Sequence, residues 1–172
     1  RIEVKLPTSM NPTFAVRDFG GGLSEEDVFG LYSKYGKSTK RQSNNYIGAF
    51  GIGKFAPLSY GDNFTCVSYH NGKKTTYNIF VNEDDDTKIS RIGDPVPTDE
   101  PTGLSIEVAV ADNDVNSFRE TSQKFFQFFP SHEMPYFIGA EDNFIKPQEK
   151  ILASDTDDWF FINRENHSYY GG

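Results

Sequence analysis

Ile2, Val4 and Leu6 alternate with Glu3 and Lys5, the period of a strand with one buried face. Pro7 to Pro12 is rich in turn residues, and Phe14-Ala15-Val16-Arg17 resumes extended character, so the opening predicts a hairpin that stops at Asp18. Ser24-Glu25-Glu26-Asp27 reads as a helix start, with Ser24 at the N-cap, acids in the first turn and Asp27 at the third helical position. Val28, Leu31 and Tyr32 give that short helix its apolar face. From 33 to 45 the chain is polar, with Ser, Thr, Lys and Asn around Gly36, the composition of a mobile loop. Residues 54–60 suit a turn or two of helix limited by Pro57. Two apolar runs, Phe64 to Tyr69 and Thr75 to Val81, flank His70-Asn71-Gly72-Lys73, and the Asn-Gly pair predicts a tight hairpin.

An acidic turn at 83–86, a weak strand at 88–92, a proline-rich loop at 94–101 and a strong strand at 104–110 follow. Residues 113–129 predict a helix ended by Pro130, with Phe118, Ser122, Phe125, Phe126 and Phe129 along one side as core. Short strands are expected near Tyr136-Phe137-Ile138 and Trp159-Phe160-Phe161-Ile162. Without internal repeats, the pattern predicts an α+β sandwich, a mostly antiparallel sheet with helices on one face.

Composition narrows the function classes. At 172 residues, 36% hydrophobic and 15% aromatic, the chain has length and apolar content for one domain with a Phe- and Tyr-rich core. A formal charge of −8 argues against nucleic acid or an anionic membrane as the main partner, while Lys34, Lys37, Lys40 and Arg41 form a local basic cluster suited to an anion. Cys66 is the single cysteine, so no internal disulfide forms, which fits a reducing compartment. No apolar run has the length of a membrane span and no signal peptide is visible. A start at Arg1 and a blunt end at Gly171-Gly172 read as a piece of something longer.

Two glycine motifs carry the chemistry. Arg17-Asp18-Phe19-Gly20 contains the magnesium-holding tripeptide of protein kinases, but there the glycine loop comes first and the tripeptide late. Gly48, four residues, then Gly53-Lys54 fits a P-loop spacing, yet Phe55 stands where serine or threonine should ligate magnesium, and no hydrophobic strand precedes it. A third reading uses both motifs in order. An ionised aspartate is a pure acceptor and can take a hydrogen bond from the exocyclic amine of adenine. The glycines after Asp18 let the backbone pass under the base. The second glycine loop, opening a helix, offers N–H groups to phosphates, and the polar segment between lies over the nucleotide as a lid. Either motif alone would be an ordinary glycine turn.

Together, and followed by Thr102-Gly103 before a strong strand, they resemble the GHKL group: gyrase-type topoisomerases, ninety-kilodalton heat-shock chaperones, histidine kinases and MutL-type repair proteins. Asp18-Phe19-Gly20-Gly21-Gly22 resembles the group's Asp-x-Gly-x-Gly box and Gly48 to Gly53 its lid-end box. Thr102 matches the threonine near the adenine aspartate, although in the group a glycine precedes it, whereas here Pro101 precedes and Gly103 follows. Within the group, Arg17-Asp18-Phe19-Gly20, Gly30-Leu31-Tyr32, Ser38-Thr39-Lys40, Ile47-Gly48 through Gly53, Pro57-Leu58-Ser59-Tyr60 and Ser68-Tyr69-His70-Asn71-Gly72 resemble phage rIIA-type proteins, linked to lysis inhibition and host membrane integrity. That resemblance runs from Ile2 to about Val110 and continues more faintly to Gly172.

The resemblance implies a Bergerat ATPase fold lacking its first helix, with an ATP-binding domain over 1–130 and an extension over 131–172 toward a transducer-like domain. It implies nucleotide contacts at Asp18, Gly20, Gly22, Ser38, Lys40, Gly48, Phe50, Gly51, Ile52, Gly53, Lys54 and Thr102. The group's catalytic glutamate and magnesium-binding asparagine belong to a helix before the opening hairpin, so ATP and Mg are the expected cofactors, with the metal ligand expected upstream of Arg1. A homodimer of the intact protein, a phage, host or membrane-associated partner, and a place in the infected bacterial cytoplasm or peripheral to the inner membrane also follow from the resemblance. Two function classes stay open: an ATP-driven lid module and a non-catalytic interaction protein that keeps the fold. His70, His132 and His167 lack metal-ligand spacing and read as surface or turn residues. Asp84-Asp85-Asp86 reads as a solvated turn and Cys66 as packed.

Overall fold

The computed structural model describes residues 1–32, 53–83, 86–127, 129, 132–142 and 144–145, and the backbone of the strands within 151–171. The chain divides into two compact units, Arg1–Val115 with Pro135–Gly139, and Asn116–Met134 with Ala140–Gly172.

The first unit is a seven-stranded mixed sheet. Its strands are β1 (Ile2–Lys5), β2 (Thr13–Asp18), β3 (Asn63–His70), β4 (Lys73–Val81), β5 (Thr87–Pro97), β6 (Gly103–Ala109) and β7 (Tyr136–Ile138), in the order β5-β4-β3-β6-β2-β1-β7. Every pairing is antiparallel except β1 with β7, a long-range parallel contact. The predicted hairpins form. Asn71 and Gly72, both at positive φ (50° and 68°), close β3 onto β4, the twist that a two-residue hairpin loop demands.

Helix α1 (Glu25–Tyr32) begins where the capping pattern places it. The Ser24 hydroxyl accepts the Asp27 amide at 3.1 Å and donates to the Asp27 carboxylate at 2.6 Å, so side chain and backbone satisfy each other at the N-terminus. That hydrogen bond holds the Asp27 carboxyl below its ordinary value. Val28 and Tyr32 sink into the sheet against Phe64, Cys66, Tyr77, Ile79 and Val108. Tyr32 meets Phe55 and Phe64 edge-on, with ring centroids 6.0 and 5.8 Å apart. Phe55 comes from a 3-10 helix, Gly53–Ser59, which accommodates Pro57 inside it. Helix and 3-10 turn therefore cover one sheet face, giving the expected α+β layering.

Two boundaries differ from the sequence reading. β5 runs through Gly93 and Pro95 to Pro97, where a loop is expected from residue 94. It is an edge strand, so its prolines forfeit no bond on the open side, and the pairing shifts between Lys74 and Thr76 to absorb Gly93 at φ 69°. The helix predicted over 113–129 is a short 3-10 turn, Asp112–Asp114, then α2 (Val115–Phe126).

In the second unit, Phe125 of α2 is 59% exposed and is not core. It clusters with Phe126 and Phe129 at 5.0 and 5.3 Å, aromatic contacts at the helix end. Ser122 turns its hydroxyl back to the Phe118 carbonyl at 2.8 Å. Arg119 reaches both oxygens of Glu141, and the Gln123 amide donates to the Phe144 carbonyl. Three antiparallel strands complete this unit: β8 (Ile151–Asp155), β9 (Trp159–Arg164) and β10 (His167–Gly171). Among the described residues no helix is long and apolar enough to cross a membrane.

Candidate functional site

Asp18 is the last residue of β2, opposite Ile2. Strand alternation puts Phe14, Val16 and Asp18 on the face that α1 covers further along the sheet. Past the end of the β2–β6 ladder, the Asp18 carboxylate replaces the missing rungs. Its Oδ1 accepts the Gly20 amide at 2.9 Å and the Leu104 amide at 3.3 Å. One oxygen is thus occupied and the carboxylate plane is set. Oδ2 has no hydrogen-bond partner among the described residues, and the side chain is exposed. Beside it lie Ile2 and Val16, 49% and 37% exposed. A free anionic acceptor next to apolar ground suits a flat base with an amino edge.

Each glycine around Asp18 has its own cause. A Cβ on Gly20 would press on Asp18 Oδ1 at 3.2 Å, whereas one on Gly21 would meet open space. Gly22, at φ 69°, has no room: a Cβ would lie 2.2 Å from the Tyr69 carbonyl oxygen. Gly103, at φ 150°, is seated against Asp18 itself, with 2.1 Å from a Cβ to the Asp18 carbonyl oxygen. A glycine directly after Thr102 is therefore what lets β6 approach the aspartate. Thr102 lies exposed in the bend just before Gly103, one residue removed from the Leu104 amide that Asp18 holds.

The back of the site is tied by Arg17. Its guanidinium lies over the Tyr69 ring at 4.0 Å and the Phe19 ring at 4.9 Å, pairs with Glu100 at 2.6 Å and donates to the Pro101 carbonyl. The segment carrying Thr102 is thereby anchored to the strand carrying Asp18.

The sequence reading gives two side chains on β3 no role at the site. Ser68, 1% exposed, donates to the Leu23 carbonyl at 2.7 Å and accepts the Leu23 amide at 2.8 Å. His70, half-buried rather than a plain turn residue, places Nδ1 2.9 Å from the Gly21 carbonyl. A carbonyl only accepts, so Nδ1 carries the proton. The signal was present: Phe64, Cys66, Ser68 and His70 share one strand face, and a polar pair closing an apolar stripe points to a backbone that needs partners.

Asp18, Gly20, Gly22 and Thr102 are thus gathered at one place, at the entrance to α1. Gly53 and Lys54 belong to the other end of that helix, whose eight residues rise about 12 Å. The Lys54 ammonium donates to the Leu31 carbonyl in the last turn of α1, and burial lowers its pKa. Ser38, Lys40, Gly48, Phe50, Gly51 and Ile52, with the whole lid expectation, lie outside the described residues. Among the described residues no three His, Cys, Asp or Glu side chains group to hold a metal.

A search of curated proteins gives no match. The sequence model described as histidine kinase-, DNA gyrase B- and HSP90-like ATPase matches residues 1–101, which span β1 to β5, Asp18 and its glycines, and the segment up to Thr102. With that match over more than half its length, the chain belongs to the histidine kinase-, DNA gyrase B- and HSP90-like ATPase family.

Proposed function

We propose that this chain is an ATP-binding module in which Asp18 Oδ2 accepts the exocyclic amine of adenine. The observation that carries the reading is the division of labour within one carboxylate: Oδ1 holds two backbone amides, and Oδ2 is left for a donor from outside. Ile2 and Val16 offer the ring an apolar surface, and the Thr102 hydroxyl is close in sequence to the amide that orients Asp18. Residues 48–53 and Lys40 would take the phosphates, and magnesium would accompany the triphosphate. Bound ATP would supply a γ-phosphoryl group for hydrolysis and binding energy for closing the segment between the glycine boxes. What the described residues do is bind and orient the base.

The narrower placement beside phage rIIA-type proteins, with a role in lysis inhibition or host membrane integrity and a location in the infected bacterial cytoplasm or peripheral to the inner membrane, is supported by the motif resemblance around Asp18, Ser38-Thr39-Lys40 and Ser68 to Gly72. Calorimetry of ATP and ADP against the full encoded protein tests the module itself. Losing a hydrogen bond to a charged acceptor is worth about 1.5–3 kcal/mol, so Asp18→Ala should weaken binding roughly tenfold to a hundredfold. Equal affinity in wild type and a folded Asp18→Ala variant would contradict it. Absence of binding in wild type would favour an interaction protein that has kept the fold.

A further inference from the structure

Three contacts dock the turn after Asp18 onto the end of β3. Ser68 clips the Leu23 amide and carbonyl, His70 Nδ1–H holds the Gly21 carbonyl, and Gly22 lies flat against the Tyr69 carbonyl. None of these groups touches the free oxygen of Asp18. They set the path of the backbone from which Gly20 donates to Oδ1, and so bear on where Oδ2 points. We propose that Ser68 and His70 are positioning residues of the adenine site, acting through the 20–23 turn. This rests on the nucleotide reading above.

The chemistry of the pair supports selectivity over bulk packing. Ser68 spends its hydroxyl as donor and acceptor on one residue's backbone, a two-bond clip that alanine cannot make and that threonine would keep only if its methyl fits. His70 is the last residue of β3, outside the apolar cluster beneath α1, so removing its ring leaves that cluster intact. The ring's one described hydrogen bond goes to the turn. Asparagine can place an amide N–H near the position of Nδ1, whereas glutamine carries its amide one methylene further out. Rescue by Asn and not by Gln is a geometric signature that loss of packing alone would not produce.

The test measures affinities for ATP and for inosine triphosphate, which has an oxygen in place of the adenine amine, in wild type, Asp18→Ala, His70→Ala, His70→Asn, His70→Gln and Ser68→Ala. Amide exchange of residues 20–23 is followed without nucleotide. One hydrogen bond is worth about 0.5–1.5 kcal/mol, so His70→Ala should lose about twofold to tenfold of the preference for ATP over the inosine analogue. Its turn amides should exchange faster, and Asn should restore both properties where Gln does not. Ser68→Ala should act in the same direction, but the His70 series decides the matter if that variant fails to fold. ATP binding that needs Asp18 and is indifferent to His70 overturns this inference and leaves the nucleotide reading standing. A wild type that binds neither nucleotide overturns both.

Discussion

Gly20, Gly21 and Gly22 are three adjacent copies of one residue under three different constraints. Gly22 combines a positive φ with a backbone oxygen where its Cβ would be, so Gly22→Ala should cost at least the roughly 1–3 kcal/mol of a residue forced into a sparsely populated conformation. Gly21→Ala meets nothing and should change stability by no more than about 1 kcal/mol, in the stabilising direction if the turn angles suit alanine. Gly20→Ala should fold with a nearly unchanged melting temperature but crowd Asp18 Oδ1 and lower ATP affinity. Urea unfolding of the three variants, with ATP titration of each folded one, checks the order. Equal destabilisation by Gly21→Ala and Gly22→Ala would show that the turn is not seated on β3 as described. The Asp-x-Gly-x-Gly spacing was legible in the sequence. Its reason was not, because Tyr69 and Asp18 meet these glycines only after folding.

At the scale of elements, local signals were read well and long-range ones were not. The Asn71-Gly72 hairpin and the Ser24 cap are decided by residues within a few positions of each other, and both form as expected. The extension of β5 past Pro95 depends on its being an edge strand, and the parallel pairing of β7 with β1 joins residues more than 130 positions apart. Neither follows from periodicity. Phe125 is exposed although it lies within α2, and the helix ends at Phe126, so an aromatic core stripe drawn to residue 129 overreached. For α1, Ser24→Ala should cost about 1 kcal/mol, the usual worth of an N-cap. Asp27 adds a pH dependence. Its folded pKa is lowered from 3.8, so its contribution is complete above that value and is lost as pH falls through the depressed folded value. The stability gap between wild type and Asp27→Ala should therefore be constant near neutrality and close below about pH 4. A gap that persists unchanged into strong acid would refute the capping role.

For the whole molecule, the α+β layering and family membership set the frame, and the core reports on its integrity. Cys66 is fully buried beneath α1, and burial pushes its thiol up to about 12. Alkylation at pH 8 should be negligible in the folded protein and rapid in urea; fast reaction of the native chain would mean that α1 opens readily from the sheet. The candidate site was half legible in advance. Asp18, its glycines and Thr102 stand in a recognisable order, whereas Ser68, His70 and Arg17 act through backbone groups brought together by β3, β2 and β6. The central claim is that Asp18 reads the amino edge of adenine with Oδ2, the oxygen that no described residue occupies. The most direct measurement compares ATP with inosine triphosphate by calorimetry on wild type and Asp18→Ala. Wild type should prefer ATP roughly tenfold or more, the worth of a hydrogen bond to a charged acceptor, and Asp18→Ala should bind the two alike. A preference for ATP that survives in a folded Asp18→Ala variant would contradict the account.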